Sequence, residues 1–292
     1  MAEKQYMNIK AYVQRHPVAV YFVLAYVIAW SGTFAAVGPK FLRGEPMQFT
    51  DALFMFLPML AGPSIAGIAM TAIVDGRSGL QNLLSRMGKW RVDVRWYAAA
   101  TLIPPVLITT VLLTLTSLVS PVFSPKFFPG GILIGLLAGF FEEIGWMGYA
   151  FPKMELKHSA LAAGIYLGLL WTAWHGIADY LGSSSVFGAY WLPHFLVWMV
   201  ASFTAMRVLI VWVYTNTRSL LLAQLMHASS TGFLSVFGPS LSPTNDILFY
   251  AVYAAVLWLA VVIVAVLYGK RLVRQPMSAK ANRTARRSAF LK

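Results

Sequence analysis

The sequence lacks cysteine altogether and has little charge. Its 292 residues include only ten Asp and Glu, and charged residues make up 11% of the chain against 59% hydrophobic residues. The absence of cysteine excludes disulfides, thiol nucleophiles, iron–sulfur clusters and cysteine-ligated zinc. A soluble domain carries about 25% charged residues, so this composition is typical of a membrane protein instead.

Long apolar runs divide the chain into segments that are each near the ~20 residues a bilayer requires. The runs are continuous rather than alternating, which favours helices over a β-barrel. The sequence therefore predicts an all-α polytopic membrane protein with about eight transmembrane helices. We place these helices near residues 17–38, 52–74, 96–120, 130–151, 159–178, 191–214, 219–238 and 246–268.

The basic residues give the chain a net charge of +13 and lie almost entirely outside the apolar runs. With the N-terminus placed inside, nineteen of the 23 fall in inside segments and three in outside segments. Arg207 alone lies within a span. This asymmetry predicts that both termini are cytoplasmic. It also favours anionic lipid, rather than nucleic acid, as the partner of the basic residues.

Two polar segments flank the spans of what we expect to be a single membrane domain over residues 1–292. Residues 77–95 combine helical spacing of apolar residues with basic residues between them, which predicts an amphipathic helix at the inner interface. Residues 275–292 are basic and nearly free of apolar side chains, which predicts a disordered tail. The catalytic helices are expected at about residues 130–238.

Glu142 and Glu143 lie side by side within the apolar run 135–149. A carboxylate inside a membrane span costs a few kcal/mol or more to insert, so acidic residues there tend to mark function. Two adjacent carboxylates at low dielectric do not both ionise easily, so one holds its proton while the other acts as a base. The pair predicts acid–base chemistry.

Two histidines, His175 and His227, lie within two further spans. A single intramembrane histidine usually serves helix–helix hydrogen bonding, but two histidines and a glutamate pair on three spans predict a shared site. Helix spacing supports this, because small residues precede Glu143 and surround His227 at intervals of four. Those small residues are Gly131, Gly135 and Gly139 in one span, and Ser219, Ala223 and Thr231 in the other.

Two kinds of hydrolytic chemistry fit these groups. Glu142, His175 and His227 could ligate zinc as a His₂Glu site, which makes zinc the alternative cofactor. The metal-free option is a carboxylate and an imidazole that activate water, with the second histidine and a hydroxyl holding the oxyanion. The sequence has no H-E-x-x-H motif and no aspartate pair within the spans, so it predicts neither a zincin nor an intramembrane aspartyl protease.

At these residues the sequence resembles the CPBP family, also called CAAX proteases and bacteriocin-processing enzymes, which includes the Ras-converting CAAX endopeptidase of eukaryotes. The family's motifs are a glutamate pair, an aromatic residue followed by histidine, and a histidine followed by a small polar residue. The resemblance covers about residues 130–235, and its bacterial character implies a prokaryotic cell membrane. The matching residues are Glu142 with Glu143, Trp171 with His175, and His227 with Thr231.

The resemblance implies an intramembrane endopeptidase acting on a peptide or membrane-protein substrate. Glu142 would be the base for the attacking water, with Glu143 beside it, His175 would share that work, and His227 with Thr231 would stabilise the oxyanion. We expect the neighbouring Trp146, Met147 and Trp171 to contact the substrate. Family members have been described both as metalloproteases and as glutamate-dependent, metal-free enzymes, so both options stay open.

The sequence departs from the family at two positions. Met147 stands where the family has an arginine, and Thr231 where it usually has an asparagine. Without that arginine we expect Glu143 to lack an ion partner four residues on and to be protonated, unless Arg207 supplies the charge from another helix.

The rival functions are a catalytically impaired relative that acts by binding, in bacteriocin immunity or as a chaperone, and a proton-coupled transporter.

Overall fold

The computed structural model of the chain describes residues 9–273, and all regular structure in that range is helical. The predicted all-α fold is therefore confirmed, whereas the tail predicted at 275–292 lies outside the described residues. The helices are α1 Ile9–Arg15, α2 Pro17–Leu42, α3 Phe49–Met87, α4 Val94–Leu118, α5 Gly130–Gly145, α6 Phe151–Glu155, α7 Ala160–Phe187, α8 Trp191–Phe195, α9 Thr204–Thr217, α10 Leu220–Phe237 and α11 Pro243–Tyr268.

Seven continuous helical segments in this range are long and apolar enough to cross a membrane, so the chain is a multi-pass membrane protein. The longest segment, residues 160–217, has 58 residues. As one straight helix it would measure about 87 Å, far more than the ~30 Å of a bilayer core. It instead reverses near Gly188, whose φ of +52° lies in the region that favours glycine, and α7 then packs against α9. Counted as two crossings, this segment gives the predicted number of about eight.

Helix α3 changes direction at Gly76, which has φ +65° and ψ −157°. Glycine adopts this conformation without the steric cost that other residues meet. The part before the kink is the apolar span, and the part from residue 77 to Met87 is the helical portion of the polar segment 77–95, whose place at the membrane interface stays a prediction. In that second part Leu83 is buried while Leu84 is 65% exposed.

Loops predicted on the same side of the membrane contact one another. Lys126 donates to Ser240 at 3.0 Å, which joins two loops predicted outside. Lys153 binds Asp75 at 2.9 Å, and the Leu161 amide donates to the carbonyl of Lys270, which joins segments predicted inside. Which of these two ends faces the cytoplasm stays a prediction.

We expect both termini to be cytoplasmic, because the excess of basic residues in one set of loops holds that set inside. Reporter fusions after Lys126 and after Ser242 should report an outside location. Fusions after Lys157 and after Lys292 should report an inside location. An outside signal from the fusion at Lys292 would contradict the predicted topology.

Helices α5 and α10 approach each other until their backbones touch. A Cβ atom added at Gly135 would lie 2.3 Å from the carbonyl oxygen of Ala228, and one at Gly139 would lie 2.4 Å from that of Gln224. A Cβ at Gly131 would lie 2.7 Å from the amide nitrogen of Val236. The close approach predicted for this glycine face is therefore confirmed, and it brings the glutamate pair of α5 beside α10.

Replacement of Gly135 by alanine should lower the thermal stability of the purified protein, because the new methyl group meets rigid backbone. Overpacking of this kind costs about 1–3 kcal/mol. Gly176→Ala is the matched control, since its Cβ would meet nothing nearer than 3.9 Å and alanine favours the helix. Equal melting temperatures for the two variants would show that the α5–α10 contact yields to accommodate a side chain.

Candidate active site

The glutamate pair lies near the end of α5, and the chain then widens into a π-helical turn, Trp146–Ala150. Such turns are frequent at functional sites. Arg86, from the second part of α3, fastens this turn by donating to the carbonyl of Gly148 at 2.7 Å and to the hydroxyl of Tyr214 at 2.7 Å. The helix that follows the α3 kink is thereby tied to the turn beside the glutamates.

Glu142 is 4% exposed and accepts hydrogen bonds from two indoles. Trp171 Nε1 donates to its Oε2 at 2.8 Å, and Trp146 Nε1 donates to the same oxygen at 3.3 Å. Both bonds go to Oε2, which leaves Oε1 for a further partner. The two tryptophans therefore fix the orientation of the carboxyl group and the direction in which its second oxygen points.

Glu143 is fully buried and forms an ion pair with Arg207 of α9. Arg207 Nη1 lies 2.6 Å from Oε1 and 2.8 Å from Oε2 of the carboxylate. The expectation that Glu143 lacks an ion partner is therefore wrong, and the alternative, a charge supplied by Arg207, is correct. The reason is that α9, which packs against α7 and α10, brings the long Arg207 side chain to the carboxylate that Met147, itself fully buried, leaves uncompensated.

Besides its ion pair with Glu143, Arg207 contacts the indole ring of Trp171. Its guanidinium carbon lies 4.1 Å from the centre of the indole ring, within the range of a cation–π contact. Phe203, at the end of a π-helical segment Leu196–Phe203 that precedes α9, stacks on Trp171 with the ring centres 4.6 Å apart. The fully buried cation thus contacts an aromatic face and a carboxylate, which offset part of its desolvation, while its Nε and Nη2 have no hydrogen-bond partner among the described residues.

His175 follows Trp171 by one helical turn and is half-buried. Its Nδ1 lies 3.0 Å from the Trp171 carbonyl oxygen, which can only accept, so Nδ1 carries a proton. Its ring also packs against Trp174 and Phe203 at centroid distances of 4.6 and 5.2 Å. In the neutral imidazole the lone pair is therefore on Nε2.

His227 of α10 is tied to Glu143 through Nδ1, which lies 2.6 Å from Oε1. Its ring contacts Trp171 edge-on at 5.1 Å, and Trp171 also contacts His175 at 5.4 Å. One tryptophan therefore touches both histidines and Glu142. Thr231 lies one turn beyond His227 and is half-buried.

The zinc alternative does not fit this arrangement. Within residues 9–273 no group of three or more His, Asp or Glu side chains is placed to hold a metal ion. The three predicted ligands, Glu142, His175 and His227, are therefore not grouped as a His₂Glu metal site. A fully buried guanidinium beside the site would also repel a divalent cation, so we derive no step through a metal.

The residues expected to contact substrate are enclosed in the structure. Trp146 and Met147 are fully buried, and Trp171 is 2% exposed. The two tryptophans instead donate to Glu142. Sequence reasoning missed Arg86 and Phe203, because an arginine in a polar connector and a phenylalanine in a span carry no local signal of these contacts.

Comparison with known proteins shows what the chain is similar to. Residues 124–233, which include the two glutamates, the two histidines, Trp171 and Arg207 but not Arg86, match the family described as type II CAAX prenyl endopeptidase Rce1-like. This region is therefore similar to CAAX proteases, in line with the resemblance seen in the sequence. The chain is similar to CAAX prenyl protease 2 of Methanococcus maripaludis, with 35% identity over 112 residues. That alignment covers 36% of this chain and 39% of the length of the relative.

Proposed function

We propose that the protein is an intramembrane endopeptidase that hydrolyses peptide bonds with a water molecule activated by Glu142. The observation that carries this proposal is the set of fixed contacts around Trp171, which orients one carboxylate and two imidazoles from three helices. Acid–base catalysis needs such groups held within hydrogen-bond reach of one reacting centre. The similarity of residues 124–233 to type II CAAX prenyl endopeptidases supports the same reaction class.

The first step is the activation of water. Glu142 Oε2 is held by the two indoles, so Oε1 takes the proton of the attacking water. His175 presents its Nε2 lone pair, because its Nδ1–H is engaged by the Trp171 carbonyl, and it accepts the second hydrogen bond of that water. The water is thereby oriented by two acceptors while its oxygen attacks the carbonyl carbon.

The second step is the stabilisation of the tetrahedral intermediate. Nδ1–H of His227 donates to Glu143, so His227 offers a second N–H at Nε2 only as the imidazolium. In that form His227 donates from Nε2 to the oxyanion, and the Thr231 hydroxyl donates to the same oxygen. When the C–N bond breaks, the proton that Glu142 took from water passes to the leaving nitrogen.

Arg207 and Glu143 act in this scheme as positioning residues. The cation holds the Glu143 carboxylate in place, and Glu143 fixes the ring orientation of His227 through Nδ1–H. This pair supports an intact site despite Met147. It is therefore the observation that favours an active protease over an impaired relative that acts by binding.

The proposal is tested by incubating the purified protein with membrane-embedded and lipidated candidate peptides, with and without a chelator. We expect new termini at defined bonds by mass spectrometry, with rates unchanged by the chelator. Loss of cleavage on chelation would replace the proposed chemistry by a metal-dependent one. Intact peptides, under conditions in which a related active enzyme cuts them, would favour the binding protein instead.

A further inference from the structure

A groove of about 670 Å³ opens between the α1–α2 junction and the segment from α6 to α7. Three lysine and arginine side chains and two histidines line it, and no carboxylate is among its lining residues. Those five are Arg15, His16, Lys153, Lys157 and His158. Lys153 is paired with Asp75 of α3, whereas Arg15 and Lys157 are exposed and have no ion pair described in residues 9–273. The mouth of the groove is therefore positively charged.

The deeper wall of the groove is apolar. It is formed by Val18, Phe22, Val74, Met154 and Leu170. Leu170 is ten residues beyond the start of α7, which places the floor about 15 Å along the helix from its charged end. This depth is about half of the ~30 Å hydrocarbon core, which is the thickness of one leaflet.

Hydrogen bonds between α2 and α7 close the floor. The Tyr26 hydroxyl donates to the carbonyl of Leu170 at 2.5 Å, and Trp30 Nε1 donates to the carbonyl of Trp174 at 2.8 Å. The groove thus has a depth of about one leaflet, basic side chains at its opening, an apolar wall, and α2–α7 hydrogen bonds at its inner end.

We infer that this groove binds one anionic phospholipid, with its phosphate at Arg15 and Lys157 and an acyl chain along Phe22 and Leu170. The pairing of charge with an apolar slot of one leaflet's depth selects a ligand that has both an anionic head and a long chain. The bound acyl chain would also stabilise the position of Glu142. It contacts Phe22, whose ring centre lies 5.8 Å from that of Trp146 in a stacked pair, and Trp146 Nε1 donates to Glu142.

The test is lipid retention measured by native mass spectrometry on the full chain purified with phosphatidylglycerol or phosphatidylcholine. We expect the wild type to retain one phosphatidylglycerol and no phosphatidylcholine. Arg15→Ala/Lys157→Ala should weaken this retention roughly tenfold, because each basic residue near the surface contributes to anionic-lipid binding. Ala19→Trp, which fills the groove without changing charge, should weaken it by a similar factor.

The matched control is Arg77→Ala/Arg91→Ala, which removes the same charge from exposed positions that do not line the groove. This variant should retain phosphatidylglycerol like the wild type. Equal losses in the two double variants, or equal retention of both lipids by the wild type, would overturn the inference. Unchanged retention in Ala19→Trp, or full displacement by inorganic phosphate, would reduce the groove to a phosphate site and overturn it as well. None of these readouts depends on peptide cleavage.

Discussion

Glu142→Gln should abolish peptide cleavage while leaving the protein folded. The amide keeps the volume of the side chain and can still accept from the indoles of Trp146 and Trp171, but it takes no proton from water. Loss of a general base lowers the rate by about 10²–10⁴-fold. The measurement is kcat/KM on a cleaved peptide, with extraction yield and thermal unfolding followed in parallel.

Glu45→Gln is the matched control for that substitution. Glu45 lies in the loop after α2, where it is exposed and paired with Arg43. The same change there should leave kcat/KM unaltered. If Glu142→Gln kept full activity, Glu142 would have no part in the mechanism and the base would have to be another group.

Arg207→Met should destabilise the protein and suppress its activity. Removal of the cation leaves Glu143 buried without its ion partner, and breaking a buried pair in this way costs about 3–5 kcal/mol. Met147→Arg should lower stability and activity by itself. It places a second cation at a fully buried position, and the nearby Glu143 carboxylate is already paired with Arg207. Both single variants should therefore unfold at lower temperature than the wild type and cleave more slowly.

The double variant Met147→Arg/Arg207→Met should recover much of both losses. An arginine four residues after Glu143 lies on the same face of the helix and restores one cation to one carboxylate. Met147→Leu/Arg207→Met is the control that changes the same positions without returning the charge, and it should show no recovery. If the charged double variant were no more stable than Arg207→Met, the two positions would not exchange the role of ion partner.

Glu143 shows where reasoning along the sequence reaches its limit. Helical spacing of four residues predicts that residue 147 shares the face of Glu143, so the methionine there predicted an unpaired acid. Spacing within one helix says nothing about which side chain a neighbouring helix directs toward that face. Arg207 was marked only as the one basic residue within a span, and its approach to Glu143 depends on how α9 packs against α7 and α10.

The sequence by itself determined the all-helical multi-pass fold and the glycine face of α5 that another helix approaches closely, and it indicated the acid and imidazole groups of the candidate site. These follow from the length of apolar runs and from glycine and polar spacing, which are local properties of one helix. Only the tertiary structure decided the partners of those groups: the two indoles on Glu142, and Arg207 and His227 on Glu143. Contacts between helices depend on their relative rotation and depth, and many distant side chains set these together.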